Sequence, residues 1–304
     1  MLNQRIKGLA FFGSVFNACG CKNTNYDDLK ALAESKSCAV STKTVTYAPK
    51  EGNPKPRYYE TADSTLNSMG LPNCGFFEMG IRINHLKGIT DKPIFASVRF
   101  DNIENIREMV DYLEKFGADV IEINLSTPNL LGKPQLCYDV DKCNEILREA
   151  EKHISVKTAI KVSPFLDGNQ QMDFIEMINK RNVDFIMAIN SAGNCLMIDP
   201  YSEEIVIKPK YGGYGGKGIK PIALGNIRRY YENSRKTIIG CGGIFNGIDA
   251  FEHILAGASL VNVGSSFLID GLDIFSTINM ELEEILTKHN YKHISEAIGQ
   301  AKTI

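Results

Sequence analysis

The 304-residue chain contains no run of 18 apolar residues, which excludes a conventional membrane-spanning helix. It also lacks charge of one sign. The net charge is −2 and the sequence pI about 6.2, so there is no electrostatic case for nucleic acid or an anionic membrane as partner. None of the eight cysteines (Cys19, Cys21, Cys38, Cys74, Cys137, Cys143, Cys195 and Cys241) stands in a Cys-x-x-Cys pair. That absence argues against structural zinc or an iron–sulfur cluster, and no metal is expected. The first thirty residues have no secretory pattern, because the apolar stretch Leu9 to Phe16 is broken by Gly13 and Ser14. All eight thiols are therefore expected to be reduced, and the setting cytoplasmic. No low-complexity linker interrupts the chain, so residues 1–304 are expected to form one domain.

What is present is an alternation. Eight β-rich segments recur: Val15–Gly20, Ala39–Thr46, Ile94–Phe100, Asp119–Thr127, Ala159–Pro164, Asp184–Asn190, Thr237–Gly243 and Leu260–Ser266. Six are near-continuous apolar runs, as parallel strands buried on both faces should be. Helical periodicity lies between them, over Ile103–Phe116, Cys143–Ile154, Gln171–Arg181, Ile222–Tyr231, Ile248–Ala256 and Ile274–Lys288. Strand-then-helix eight times, at this length, predicts an α/β fold, the (β/α)₈ TIM barrel, in preference to an open doubly wound sheet. Two segments stand outside the repeat. Lys50–Leu71 is rich in Pro and Gly, and Gly193–Lys220 contains YGGYGGKG. Both follow strands, on the face where barrel enzymes build their sites, and are expected as inserted loops or hairpins. The glycine run is not a dinucleotide fingerprint, since no βαβ unit with a suitably placed acidic residue follows it; a mobile loop or a hairpin is expected there.

The polar residues cluster at strand ends. The second strand carries Lys43, the fourth ends in Asn124-Leu-Ser-Thr127-Pro-Asn129, the fifth holds Lys161, and the sixth ends in Asn190-Ser191. A lysine within an apolar strand is rarely buried without a partner, and either one alone could simply reach solvent past the strand end. Two of them beside several asparagines point instead to bound negative charge in the barrel mouth. Strands seven and eight end in Gly242-Gly243 and Gly264-Ser265. In barrels these two loops commonly hold a phosphate on backbone N–H groups, and glycine lets the backbone approach it. A phosphate-tailed cofactor such as FMN follows.

In order along the chain, these residues resemble the class 1 dihydroorotate dehydrogenases, closest to the fumarate-linked type A subgroup. The resemblance covers nearly the whole chain. It is carried by Lys43, Glu51-Gly52-Asn53-Pro54 with Pro56-Arg57, Asn67-Ser68-Met69-Gly70-Leu71-Pro72-Asn73, Asn124-Leu125-Ser126 and Pro128-Asn129. Gly132-Lys133-Pro134-Gln135, Asn190-Ser191, Ile207-Lys208-Pro209-Lys210, Gly242-Gly243-Ile244 and Asp249-Ala250-Phe251-Glu252-His253 complete it. It implies oxidation of dihydroorotate to orotate in pyrimidine biosynthesis, with FMN across the mouth, fumarate as electron acceptor and a homodimer to which Gly193–Lys220 contributes. It implies FMN phosphate on Gly242, Gly243, Gly264 and Ser265, with Lys43 at the flavin N1/O2 edge and Lys161 at the ribityl chain. Ala18, Gly20, Asn124, Ile189 and Gly218 would complete the cofactor site. Asn67, Asn124, Asn129, Asn190, Ser191 and Lys43 would hold the pyrimidine, with Met69, Gly70 and Leu71 at its carboxylate. Hydride would pass from C6 to flavin N5 as a base removes the C5 proton. The type B subgroup, with its iron–sulfur partner subunit, and the membrane-bound class, with its N-terminal hydrophobic helix, fit these loops less well.

The chain departs from the type A pattern at the base. That subgroup reads Asn-Leu-Ser-Cys-Pro-Asn where this chain has Thr127. A thiol with a pKa near ~8.5 can lose its proton at working pH. A threonine hydroxyl needs an acceptor to which it can relay its own. Three readings stay open: Thr127 acts as base with water as acceptor; the site favours another pyrimidine, as in related FMN barrel reductases; or proton abstraction is lost and a flavin-binding relic remains.

Overall fold

The computed structural model describes residues 1–128, 130 and 135–303. Eight parallel strands form one sheet: β1 (Val15–Asn17), β2 (Val40–Ser41), β3 (Ile94–Val98), β4 (Val120–Asn124), β5 (Lys157–Val162), β6 (Phe185–Ala188), β7 (Thr237–Cys241) and β8 (Leu260–Val263). Their order is β1-β8-β7-β6-β5-β4-β3-β2, so each strand lies beside its neighbour in sequence and the sheet curls into the expected barrel. The helices are α1 (Tyr26–Glu34), α2 (Phe76–Lys87), α3 (Ile106–Lys115), α4 (Val140–Ala150), α5 (Gly168–Asn179), α6 (Lys220–Asn233), α7 (Gly247–Ala256), α8 (Ser265–Asp270) and α9 (Asp273–Lys288).

All eight expected strands are found; seven are shorter than the run that announced them, and the fifth keeps its length but begins and ends two residues earlier. The residues beyond the last ladder bond turn into the mouth. Helix starts also move, because caps decide them. Asp139 accepts the Lys142 N–H at 2.9 Å and starts α4 before Cys143. Asp167 accepts the Gln170 N–H at 2.8 Å and starts α5 before Gln171. Helices α1 and α2 were not anticipated. Asn25 caps α1 through the Asp28 N–H, a signal present in the sequence. The end of the expected last strand, Ser265 and Ser266, is helical.

The barrel closes by an unusual stitch. No ladder joins β1 to β2. Instead the Asn17 carboxamide stands in for a peptide group: its Oδ1 accepts the Ser41 N–H at 3.0 Å and its Nδ2 donates to the Ser41 carbonyl at 2.7 Å. Asn17 and Ser41 are both fully buried. The amino end of the barrel is plugged by Phe11, Phe16, Phe95 and Phe185, with Phe16 and Phe95 rings 5.2 Å apart. Phe11 belongs to a hairpin, Gln4–Ile6 with Leu9–Phe11. The carboxyl end is left open.

The two inserts meet over that opening. Ala192–Cys195, Gly212–Gly216, Ser64–Asn67 and Tyr58–Glu60 form one antiparallel sheet in that order. The glycine run is thus half of a hairpin within a sheet. A Cβ at Gly212 would stand 2.7 Å from the Asn67 carbonyl oxygen, so glycine there allows the strands to approach.

Replacing Asn17 with Ala orphans the buried Ser41 N–H, and should destabilise the protein by roughly 1–3 kcal/mol. Asn17→Asp should not restore stability, because a carboxylate oxygen would face the Ser41 carbonyl. Urea unfolding of the three proteins checks both statements; an Asp variant as stable as wild type would remove the role given to the stitch.

Candidate functional site

A cavity of about 630 Å³ lies between the carboxyl ends of the strands and the insert sheet. Its floor holds two buried ammonium groups. Lys43, just past β2, is 6% exposed and places its Nζ 3.3 Å from the Gly20 carbonyl. Lys161, on β5, is 3% exposed and places its Nζ 3.9 Å from Cys241 Sγ. Among the described residues neither has a carboxylate within salt-bridge distance. Burial pushes Lys43 below the ordinary lysine range; Cys19 and Cys21 oppose the shift, while Arg57 and Lys161 reinforce it. Burial also acts against charge on Lys161, but the neighbouring Cys241, Cys19 and Glu122 groups act the other way, and its pKa stands above the ordinary lysine range. Burial pushes the Cys19 thiol up to about 12 and the Cys21 thiol up to about 11, so at neutral pH both are protonated. Such a floor favours a ligand with anionic or acceptor-rich edges.

Beside the lysines lies a polar hub. Asn124 pairs in register with Lys161 across β4 and β5. Its Nδ2 donates to Thr44 Oγ1 at 2.9 Å. Its Oδ1 accepts from the Ser126 N–H at 3.1 Å, the Ser126 hydroxyl at 3.1 Å and the Thr127 hydroxyl at 3.2 Å. The Asn124 amide is therefore spent mainly on the protein, and it orients Thr127. Asn190 donates to Ser126 Oγ at 2.9 Å and accepts the Ser191 N–H at 2.8 Å. The roof is Asn67, whose Nδ2 donates to the Gly213 carbonyl at 3.2 Å, followed by Met69, Gly70 and Leu71. Gly70 has φ +70°, and a Cβ there would meet the Asn53 backbone nitrogen at 2.5 Å. No other residue type fits that turn.

The glycine end is equally built. Gly243 has φ +76°, and a Cβ there would stand 2.9 Å from the Lys220 backbone nitrogen. Lys220, at the start of α6, is held by Asp249 at 2.7 Å, and Asp249 also accepts the Phe245 N–H at 2.9 Å. Behind the glycines lies His253 on α7, fully buried. Its Nδ1 donates to the Asp249 carbonyl at 2.8 Å, and burial brings its pKa down to about 4. Ser265 reaches the roof, 3.3 Å from Thr65 Oγ1.

Of the residues singled out in the sequence, Ala18, Gly20, Lys43, Asn67, Met69, Gly70, Leu71, Asn124, Thr127, Lys161, Ile189, Asn190, Ser191, Gly242, Gly243, Gly264 and Ser265 all line this one cavity. Gly218 does not. Its N–H is donated to the Asp63 carbonyl at 3.2 Å, while Gly216 and Ile219 on either side line the wall. Asn129 lies outside the described residues. Thr44, Thr65, Cys241 and Asn262 also line the cavity and were missed. Asn262 interrupts the apolar strand β8 as Lys161 interrupts β5, so the same signal was available. All eight cysteines are free. Among the described residues no group of three or more potential ligands could hold a metal, and no helix is long and apolar enough to cross a membrane.

Residues 1–286 match the family described as dihydroorotate dehydrogenase. The chain is 38% identical over 312 residues to a protein of Trypanosoma brucei brucei named dihydroorotate dehydrogenase (fumarate), covering 100% of this chain and 99% of that one. It is 37% identical to dihydroorotate dehydrogenase A (fumarate) of Lactococcus lactis subsp. cremoris, over the full length of both. Its fold is similar to that in a crystal structure of DHODH from Eimeria tenella in complex with ferulenol. The TM-score is 0.83 at 24% identity, covering 98% of this chain and 88% of that one.

His253 titrates in an acid-sensitive position behind the cradle. Its folded pKa lies below the unfolded value of about 6.5, so its contribution to stability is complete above that pH and is lost as pH falls toward 4. A shift of this size corresponds to roughly 3 kcal/mol at the end of that window. Denaturant unfolding between pH 7 and 4 should show a shallower acid loss in His253→Gln than in wild type; equal slopes would remove His253 from the account.

Proposed function

The chain belongs to the dihydroorotate dehydrogenase family, and on that premise we propose that it oxidises dihydroorotate to orotate with bound FMN and passes the electrons to fumarate. The observation that carries this reading is the pair of buried lysines without carboxylate partners, facing one cavity with the glycine cradle and the asparagine-rich roof. The residues present suit FMN. Gly243 has no room for a Cβ, Gly242 has a positive φ with little room, and Gly264 and Ser265 line the same cavity, which suits a phosphate. Lys43 and Lys161 suit the electron-rich ring edge and ribityl chain. Bound FMN supplies the two-electron acceptor for the hydride. The protein supplies positive charge where negative charge develops, a closed roof and a proton acceptor.

Thr127 is that acceptor in our reading. A carbonyl oxygen has two lone pairs. Asn124 Oδ1 has three claimants, the Ser126 N–H, the Ser126 hydroxyl and the Thr127 hydroxyl. When the Thr127 hydrogen swings away to a water in the mouth, the two groups of Ser126 still satisfy the amide. Thr127 Oγ1 then takes the C5 proton as its own hydrogen passes to that water. Proton count balances, and no thiolate is needed. Fumarate would use the same mouth after orotate leaves, since both are planar carboxylates. The eight free thiols suit a reducing compartment, in keeping with a cytoplasmic setting.

A homodimer is part of the proposal. The insert leaves Ile198 56% and Tyr201 97% exposed, with Leu196, Ile205 and Tyr211 also open to solvent. Apolar side chains gathered on one insert suit an interface. Light scattering should give a dimer mass for wild type and a monomer mass for a variant carrying Ile198→Glu and Tyr201→Glu; a dimer in both would move the interface elsewhere.

The central test is anaerobic. Purified yellow protein should bleach on mixing with dihydroorotate and regain colour faster with fumarate than with oxygen or a quinone. Thr127→Ala should slow bleaching by about 100-fold or more. Thr127→Cys should speed it near neutral pH, because a thiol ionises there and a hydroxyl does not. Protein that binds FMN but never bleaches would be a relic or a reductase of another pyrimidine. An unchanged rate in both Thr127 variants would remove the base assignment.

A further inference from the structure

Among the described residues, Glu122 is the carboxyl side chain sealed inside the barrel, and the proposed chemistry does not use it. It is fully buried on β4, two residues before Asn124 and therefore on the same, inward face. A carboxylate there is costly unless every lone pair is placed with purpose. Its Oε1 accepts the Ser97 hydroxyl at 2.8 Å, and its Oε2 accepts the Ser41 hydroxyl at 3.2 Å. Ser97 stands beside it in register on β3. The other ionisable groups that act on this carboxylate's surroundings are Lys161 on β5 and the protonated thiol of Cys19 beyond β1.

The hydrogens can be assigned from this anion outward. Ser97 has one hydroxyl hydrogen, and Glu122 takes it. Ser97 Oγ can then only accept from Thr44 Oγ1, at 2.9 Å, and this oxygen takes the Thr44 hydrogen in preference to the weaker acceptor Cys19 Sγ at 3.5 Å. With its own hydrogen spent, Thr44 can only accept from Asn124 Nδ2, at 2.9 Å. That places Asn124 Oδ1 toward Thr127. The backbone N–H of Ser126 demands the same orientation from the other side. Every hydrogen from Asn124 to Glu122 thus points the same way. Bonds aligned head to tail polarise one another, and the anion at the end strengthens the effect.

We propose that Glu122 is a positioning residue for Thr127, acting through Ser97, Thr44 and Asn124. The chain carries no proton, because an amide oxygen is a poor proton acceptor. It holds the Asn124 oxygen in place and makes it more negative, beside the hydroxyl on which a proton arrives. A hydroxyl base, weaker than a thiolate, gains most from such support. This inference rests on the reading of Thr127 as base.

The test is a double-mutant cycle on the FMN-loaded protein, read as the anaerobic bleaching rate at saturating dihydroorotate, with pyrimidine and FMN affinities measured alongside. Glu122→Gln keeps the shape and removes the charge. It should slow bleaching by about tenfold and leave both affinities unchanged. Ser97→Ala cuts the chain midway and should act the same way, so the proposal remains testable if the Glu122 variant folds poorly. In a Thr127→Ala background neither substitution should slow bleaching further. If Thr127→Ala slows bleaching and the second substitutions slow it again by their full factor, Glu122 acts elsewhere and the inference fails alone. If Thr127→Ala has no effect, the base assignment itself has failed. Loss of affinity without loss of rate would make Glu122 a structural residue only.

Discussion

A parallel barrel must close on itself, and this one does so where its strands are shortest. Strand β2 has two residues, which pair with β3 but form no ladder with β1. The Asn17 carboxamide supplies the missing donor and acceptor to Ser41. Asn23 adds a second amide to the same Ser41 carbonyl, at 2.9 Å, and its own carbonyl accepts the Lys43 N–H at 3.1 Å. The seam is thus sewn by two side-chain amides and two backbone bonds, from the Cys38 N–H to the Val15 carbonyl at 2.9 Å and from the Lys43 N–H to the Asn23 backbone carbonyl, and the chain leaves it at once on both sides. One side runs into Ala18–Gly20, the other into Lys43. The Lys43 ammonium reaches back across the seam to the Gly20 carbonyl. Closure of the fold and placement of a floor lysine are therefore one event.

Above the seam, the site works by a deliberate imbalance of charge. Two lysines line the floor, and among the described residues the carboxyl group buried in the barrel beneath them, Glu122, has both oxygens occupied by serine hydroxyls. The nearby thiols contribute no charge at neutral pH, because burial keeps Cys19 and Cys21 protonated. The floor is positive wherever a ring would lie and is shielded from water by the sheet formed from both inserts. In so enclosed a place fixed charges act strongly and need no rearrangement during reaction. The glycine end is stiffened in a different way, by the Lys220–Asp249 pair and the neutral His253 wedged behind it.

Much of this was legible in the amino-acid order, for physical reasons that can be named. Parallel strands covered on both faces must be apolar throughout, so the eight runs stood out, and any polar residue inside one became conspicuous. Lys161 was found that way. Asn262 and Glu122 carry the same signal in β8 and β4 but are smaller interruptions, and they passed unremarked. The ends of strands were overestimated because apolar character continues past the last ladder bond. Helix α1 escaped because its buried face is narrow, only Leu29, Leu32 and Ala33, whereas α2 carries a helical stripe, Phe76, Met79, Ile83 and Leu86, that was overlooked. The union of the two inserts into one sheet could not be read, since it joins residues about 150 positions apart, as in the Ser64–Tyr214 hydroxyl contact. That Gly216 and Ile219 line the cavity while Gly218 between them does not is likewise set by strand pairing, a tertiary fact.

The threonine at position 127 is best understood against what surrounds it. A thiolate needs little help to take a proton, so its neighbours need only leave it room. A hydroxyl must give up one hydrogen as it gains another, and it must be free to turn. Asn124 Oδ1 provides that freedom by being oversubscribed: Ser126 alone can fill both lone pairs. An amide held by a single donor would pin the hydroxyl in place, and an amide free to flip would present its NH₂ group and repel the arriving proton. The arrangement avoids both faults, because Ser126 and Thr44 fix the amide from opposite ends whether or not Thr127 donates to it. The substitution of oxygen for sulfur thus depends less on Thr127 itself than on the asparagine beside it, whose hydrogens are ordered by a carboxylate at the centre of the barrel.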